Sequence, residues 1–83
     1  MSNWTEKNNY LQKKFKFTDY AHAVEFANRV FRLCKNQNHH ADVLVRYDSV
    51  EIRTTTHDQG KLTEKDFTLV KEIDFIGKED SLR

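Results

Sequence analysis

Hydrophobic and polar residues alternate along the first part of the chain. From Lys13 to Phe17 the two phenylalanines point one way, and Lys14 and Lys16 point the other way. Alternation with a period of two is typical of a strand with one buried face. We therefore predict extended structure over residues 3–17, with a turn at Asn8-Asn9 that separates two short strands.

A second pair of strands is predicted in the middle of the chain. Residues 43–47 (VLVRY) and 50–56 (VEIRTTT) are rich in residues that favour strands. The intervening Asp48-Ser49 suits a short hairpin turn. Alternation predicts that one face of the later strand carries Val50, Ile52, Thr54 and Thr56.

Apolar residues at three- and four-residue spacing predict two helices. The first is expected over about residues 19–35, with Thr18 as N-cap, and its apolar face is formed by Tyr20, Val24, Ala27, Val30, Phe31 and Cys34. The second is expected to begin at a capping box formed by Thr63 and Asp66 and to end at Gly77. Its apolar face is predicted to consist of Phe67, Val70, Ile73 and Ile76, and the tail after Gly77 is predicted to fray.

The predicted order of elements is β-β-α-β-β-α. Each helix has one apolar face, and a sheet is the simplest surface that covers both. We therefore predict an α+β fold in which a four-stranded antiparallel sheet carries two helices packed on one face. The whole chain, residues 1–83, is predicted to form a single domain.

Composition and charge narrow the possible functions. The 83 residues include 14 basic and 13 acidic side chains, so the net charge of +1 gives no reason to expect a nucleic-acid partner. No apolar run is long enough to span a membrane, and the first residues lack the apolar core of a signal peptide. The single cysteine, Cys34, excludes an internal disulfide. These features predict a cytoplasmic protein without a membrane partner.

Three histidines are the main candidates for chemistry. His39 and His40 precede the third strand, and His57 closes the fourth, so the hairpin register is expected to bring all three to one end of the sheet. Such a cluster suits proton transfer near neutral pH, and three imidazoles also suit zinc. Histidines in loops without any function are the third possibility. Adjacent histidines are poorly placed to bind one metal ion, because their rings diverge, so acid–base chemistry is favoured.

The histidine-containing motifs resemble those of the pterin-4a-carbinolamine dehydratase family, whose animal form is also a dimerisation cofactor of a transcription factor. The matching residues are N38-H39-H40-A41-D42, Tyr47, T55-T56-H57-D58 and G60-K61-L62-T63-E64-K65-D66. The resemblance runs from Trp4 to about Ile76 and includes the Phe15 and Phe17 pair. Family members usually carry one further helix before the tryptophan, and this chain is expected to lack it.

The resemblance implies an activity and a set of site residues. The expected reaction removes water from a 4a-hydroxytetrahydropterin to give a quinonoid dihydropterin, which serves pterin recycling after aromatic amino-acid hydroxylation. No metal or organic cofactor is expected, and the protein is expected to form a homodimer or homotetramer. By position, His39 and His57 would be general acids and His40 the base and main substrate contact. Further substrate contacts are expected from Asn38, Thr55 and Thr56, and Asp66 is expected to cap the last helix or to orient a histidine.

Three positions depart from the usual pattern of this family. Ala41 stands where proline usually follows the histidine pair, Val43 stands where an aromatic residue is common, and Lys35 stands where an acidic residue is common. The main alternative function is a non-catalytic binding protein of the same fold, either an assembly chaperone or a dimerisation cofactor. Relatives used in that way tend to have lost histidines of the triad, whereas all three are present here. A zinc-dependent hydrolase and an enzyme acting on another pterin, such as one of molybdopterin metabolism, are further alternatives.

Overall fold

The computed structural model describes residues 4–80, and side chains up to Gly77. The elements follow in the order β1 (Thr5–Lys7), β2 (Tyr10–Lys16), α1 (Tyr20–Asn36), β3 (Asp42–Arg46), β4 (Ser49–Thr54) and α2 (Glu64–Asp80), with one 3-10 turn at His57–Gln59. The predicted α+β fold is therefore confirmed. The expectations about a helix before Trp4 and about residues 81–83 lie outside the described residues. Neither helix is long and apolar enough to cross a membrane among the residues searched, 4–80.

The four strands form one antiparallel sheet in the order β1-β2-β4-β3. Asn8 and Asn9 both have positive φ and form the predicted turn between β1 and β2. The second hairpin differs from the prediction, because Arg46 pairs with Ser49 and the turn is therefore Tyr47-Asp48, not Asp48-Ser49. Each residue of β4 therefore pairs with the residue of β3 that lies two positions earlier than predicted.

Both helices cover the same face of the sheet. The largest fully buried side chains come from α1, β4 and α2, and they include Phe26, Val30, Val50, Ile52, Leu69, Val70 and Ile73. Trp4 anchors the start of the chain to this core. Its ring contacts Phe15 edge-on, and its indole N–H donates a hydrogen bond of 2.8 Å to Asp74 in α2.

The apolar face of α1 is rotated from the predicted one. Tyr20 and Phe31 are half-exposed, whereas Ala23 and Phe26 are fully buried in the core. The predicted cap is also off by one residue, because the N-cap is Asp19, whose carboxylate accepts from the amide of His22. Carboxylates suit this position because they meet the free amides of the first turn.

Helix α2 begins as predicted but continues beyond the predicted end. The Asp66 half of the capping box is present, because Asp66 Oδ2 accepts from the Thr63 amide, whereas Thr63 Oγ1 accepts from the amide of Lys65 and not from that of Asp66. Gly77 does not end the helix, since α2 extends to Asp80. A β-carbon at Gly77 would lie 2.6 Å from Cε2 of Phe15, so glycine is needed here for the close approach of α2 to the sheet. Phe67, which was predicted to lie on the apolar face, is partly exposed, whereas Leu69, which was not assigned to that face, is fully buried.

Candidate active site

A cavity of about 160 Å³ lies where the end of α1, the segment after β4 and the first turn of α2 meet. Its walls are formed by Asn38, His39, His40, Thr55, Thr56, His57, Asp58 and Lys65. The three histidines therefore do come together at one end of the sheet, as predicted. The predicted cross-strand pairing that was expected to bring them together is wrong, because β4 ends at Thr54 and the ladder stops at Asp42 and Arg53.

The end of α1 fixes the position of His39. Asn38 has a φ of 51°, the left-handed conformation that asparagine tolerates better than most residues. The amide of Asn38 donates to Lys35 O and the amide of His39 donates to Cys34 O, at 3.2 and 3.0 Å. These two bonds form a Schellman motif, which satisfies the last carbonyls of the helix. Asn38 thus turns the chain so that His39 starts the site, in addition to lining the cavity.

The carboxylate of Asp66 is the most densely bonded group of the site. It is completely buried and accepts four hydrogen bonds. Oδ1 accepts from His39 Nε2 at 2.6 Å and from Thr54 Oγ1 at 2.7 Å. Oδ2 accepts from Thr56 Oγ1 at 2.6 Å and from the Thr63 amide at 3.0 Å. Asp66 therefore makes both contacts that the sequence suggested as alternatives, one with a histidine and one with the start of α2.

The charge state of the Asp66 carboxylate determines which ring nitrogen of His39 carries the hydrogen. Burial alone would raise the pKa of Asp66, but the hydrogen bonds from Thr56, His39, the Thr63 amide and Thr54 together hold that pKa below its ordinary value. The carboxylate is therefore ionised and has no proton to donate. His39 Nε2 must carry the hydrogen in the 2.6 Å bond, which leaves Nδ1 as the nitrogen that can accept or release a proton.

His40 and His57 are in a different environment from His39. Only 8% of the His39 side chain is exposed, whereas His40 and His57 are exposed to solvent. Within residues 4–77 neither of these two rings has a hydrogen-bond partner. His57 starts the 3-10 turn, which closes at Gly60 with a φ of 64°, a conformation that glycine adopts without strain. Two imidazoles thus reach solvent freely at the cavity, and the third is held by a buried carboxylate.

The two threonines beside His57 use their hydroxyl hydrogens within the protein. Thr55 Oγ1 donates to the carbonyl of Asn9 at 2.6 Å, which ties the site to the first hairpin turn. Thr56 Oγ1 donates to Asp66 Oδ2 and lies 2.7 Å from Thr63 Oγ1. A ligand in the cavity would therefore meet the backbone of this segment, or the lone pairs of the hydroxyls, more readily than hydroxyl donors.

Asp58 and Lys65 were not predicted as site residues, yet both line the cavity. Their signal was weak, because exposed charged side chains in a polar loop and in a first helical turn are common. Within residues 4–77 neither side chain has a hydrogen-bond or ion-pair partner. The three positions that depart from the family pattern, Lys35, Ala41 and Val43, do not line the cavity.

His22 and Cys34 are not among the residues that line this cavity. His22 pairs with Asp19 at 2.7 Å on the surface of α1. Cys34 is buried in the core, and burial raises the pKa of its thiol, as expected for a packing role. A concavity of about 180 Å³ on the open face of the sheet is lined by Asp42, Val43, Leu44, Glu51 and Arg53. It contains no imidazole, so it offers no group that titrates near neutral pH.

Together, the fold and the cavity define an α+β protein with a cavity lined by three histidines. A sequence profile of the family described as Pterin 4 alpha carbinolamine dehydratase matches residues 1–76. A relative from Sulfurisphaera tokodaii is 42% identical over 89% of this chain and 80% of its own length. One from Picosynechococcus is 37% identical over 86% of this chain and 77% of its own. Both carry the name pterin-4-alpha-carbinolamine dehydratase as a provisional assignment. This chain belongs to the pterin 4 alpha carbinolamine dehydratase family.

Two solved structures share the fold. A transcriptional coactivator/pterin dehydratase from Brucella melitensis superposes with a TM-score of 0.88 at 22% identity and covers 93% of this chain and 84% of its own. A pterin dehydratase-like protein, identified as a RuBisCO assembly factor of the alpha-carboxysome, has a TM-score of 0.73 at 19% identity and covers 89% and 86%. At these identities the comparison establishes the fold, and the fold is shared by proteins of different function.

Proposed function

We propose that this chain dehydrates a 4a-hydroxytetrahydropterin to a quinonoid dihydropterin. The single observation that carries the proposal is the cavity in which His39, His40 and His57 meet beside the buried carboxylate of Asp66. Membership of the family supports pterin as the substrate class. An oxygenase that hydroxylates an aromatic amino acid with a tetrahydropterin would supply such a substrate.

The elimination requires two proton transfers. The C4a–O bond breaks as an acid protonates the departing hydroxyl, which leaves as water. A base removes the proton of the neighbouring ring nitrogen, N5, and the released electron pair forms the C4a=N5 double bond. A positioned imidazole can perform either step near neutral pH. No oxidant or reductant is needed, because the reaction only removes water.

The three histidines differ in ways that suit different roles. His40 is exposed and its ring is unbonded among residues 4–77, so we assign it as the base and the main substrate contact. His57 is also exposed and would protonate a hydroxyl that leaves on its side of the ring. His39 would use its Nδ1 to protonate a hydroxyl that leaves on the opposite side of the pterin ring, since its Nε2 is bonded to Asp66. The Asp66 carboxylate accepts the hydrogen bond from His39 Nε2 at 2.6 Å and keeps the ring in place.

Pterin binding at this cavity can be measured without turnover. Addition of a dihydropterin to ¹⁵N-labelled protein is expected to shift the backbone amides of residues 38–40 and 55–58, because these segments form the cavity walls. Amides of Leu44 and Glu51, on the open sheet face, serve as the internal control and should not move. Saturable shifts confined to the sheet face, or no shifts at all, would contradict the assignment of the site.

An assembly factor on the same fold is the second candidate. It is supported by the structural likeness to the protein identified as a RuBisCO assembly factor. Such a role would use a surface and would not need an array of titratable side chains in a cavity. Because all three histidines line the cavity of this chain, the enzyme is the better supported of the two.

We also propose that the chain forms a homodimer or homotetramer. Strand β3 is an edge strand, and Leu44 on it is 48% exposed. Phe31 and Phe75 on the two helices are likewise exposed, at 49% and 65%. Large apolar side chains on a small chain favour association. Sedimentation analysis is expected to give a multiple of the 9.9 kDa of one chain, and a mass of 9.9 kDa would reject this proposal.

A further inference from the structure

Thr54 takes part in the site although it does not line the cavity. It is 1% exposed and stands at the end of β4, behind the histidines. Its Oγ1 donates to Asp66 Oδ1 at 2.7 Å and lies 3.4 Å from His39 Nε2. His39 Nε2 bonds to the same oxygen at 2.6 Å. The imidazole of His39 and the hydroxyl of Thr54 therefore share Asp66 Oδ1 as their acceptor.

The remaining contacts hold the carboxylate in place independently of Thr54. Asp66 Oδ2 is fixed by Thr56 Oγ1 and by the Thr63 amide. His39 is fixed through its own amide, which bonds to the carbonyl of Cys34 at the end of α1. Removal of the Thr54 hydroxyl would therefore change the electrostatics of the Asp66–His39 pair more than its geometry.

The physical effect of sharing is competition for negative charge. Each donor to a carboxylate oxygen stabilises the charge and reduces the attraction left for the other donor. In a buried site this matters more than in water, because no solvent molecule replaces a donor that is lost. The hydrogen bond from the Thr54 hydroxyl to Asp66 Oδ1 thus weakens the attraction between the carboxylate and a protonated His39 ring.

We propose that Thr54 is a positioning residue that adjusts the acid–base behaviour of His39 by sharing Asp66 Oδ1 with it. Its relevance to catalysis rests on the proposed dehydratase function, whereas its effect on the His39 ring does not. Without the hydroxyl, Asp66 would favour the protonated ring more strongly, so His39 would keep its proton to higher pH. The other titratable groups that face His39 or its cavity are His40, His57 and Asp58, together with Lys65 and Glu64 on α2.

The test compares Thr54→Val, which has the shape of threonine without the hydroxyl, with Thr54→Ser, which keeps the hydroxyl. The Cε1 proton of His39 is followed by NMR against pH in the free protein, assigned with the His39→Gln variant. In Thr54→Val the titration midpoint is expected to rise by about 0.5 pH unit or more, and in Thr54→Ser it is expected to stay at the wild-type value. An unchanged or lowered midpoint in Thr54→Val would overturn the proposal.

A third variant keeps the test decisive if the valine protein does not fold. Thr54→Cys retains a weak donor. Its titration midpoint is therefore expected to lie above that of the wild type and of Thr54→Ser, and below that of Thr54→Val. A Thr54→Cys midpoint equal to that of the wild type would then overturn the proposal.

The kinetic counterpart is the pH profile of kcat for dehydration. With the substrate isomer whose hydroxyl leaves on the His39 side, the alkaline limb should move upward by the same amount in Thr54→Val, and KM should change less than about twofold, because His39 is the proposed acid for that isomer. A uniform loss of kcat without a shift of the limb would indicate only a structural role and would overturn the proposal. If the wild type does not dehydrate the substrate, the proposed function fails, and the midpoint in Thr54→Val still decides this proposal.

Discussion

Replacement of His40 with alanine is expected to lower kcat for dehydration of a 4a-hydroxytetrahydropterin by about 10²- to 10⁴-fold, the range for a positioned acid or base. His40 is the exposed imidazole of the cavity wall that we assign as the base. Stopped-flow absorbance with freshly generated substrate measures this rate.

The control for His40→Ala is His22→Ala. His22 is also partly exposed, but it lies on α1 and pairs with Asp19, outside the cavity. The control variant should keep wild-type turnover. A His40→Ala protein that turns over within a few-fold of the wild type would rule out His40 as the base.

The second large effect is expected at Asp66. Asparagine would place an N–H₂ group among four donors that now meet carboxylate oxygens, so two donors would face each other inside the core. Removal of one partner of a buried charged network costs about 3–5 kcal/mol. Urea denaturation of Asp66→Asn should therefore show a large loss in the free energy of unfolding, a substantial part of the total for a chain of this size.

The loss at Asp66 is expected to depend on pH in a specific direction. The pKa of Asp66 is lower in the folded protein than the value of about 3.9 for an unfolded aspartate. Its stabilisation is therefore fully present above about pH 4 and is lost as the pH falls through the lower pKa of the folded state. The difference in stability between the wild type and Asp66→Asn should narrow as the pH is lowered from about 5 towards 2.

Asp42→Asn is the matched control for Asp66→Asn. Asp42 is an exposed aspartate at the start of β3, and its side chain has no hydrogen-bond or ion-pair partner within residues 4–77. Its replacement should change the free energy of unfolding by less than about 0.5 kcal/mol at any pH. Equal losses in the two variants would contradict the assignment of a special role to the buried carboxylate.

The order of the elements could be predicted from the sequence because alternation and helical spacing are local signals. The exact hairpin register could not, because Tyr47-Asp48 and Asp48-Ser49 are both acceptable turns. The choice between them depends on which residues of β4 face the helices. The sequence showed that Val50 and Ile52 share a face, and that part of the prediction is confirmed by their complete burial.

The faces of the helices were harder to predict than the helices themselves. Tyr20 and Phe31 fit an apolar stripe of α1 as well as Ala23 and Phe26 do, and only the packing against the sheet selects between the two sets. Gly77 has the same ambiguity, since a glycine near a predicted helix end indicates a C′ position. Its actual reason, the close approach of Phe15 on β2, is a long-range contact that no local pattern contains.

The histidines of the site could be predicted, but the way in which the site is held together could not. Motif spacing indicated His39, His40 and His57, and Asp66 was given alternative contacts of which it makes both. The donation of Thr55 to Asn9, and that of Thr54 to Asp66, depend on how distant segments meet. Sequence spacing alone does not define such contacts.

We propose that this histidine-lined cavity dehydrates a pterin carbinolamine without a metal ion. The most direct test is the rate of dehydration of a freshly generated 4a-hydroxytetrahydropterin, followed by absorbance, with and without protein that has been stripped of metal by chelation. We expect a clear acceleration that scales with protein concentration and that is unchanged when zinc is added back. No acceleration by folded, metal-free protein would contradict the claim, and it would make the assembly-factor function the better supported one.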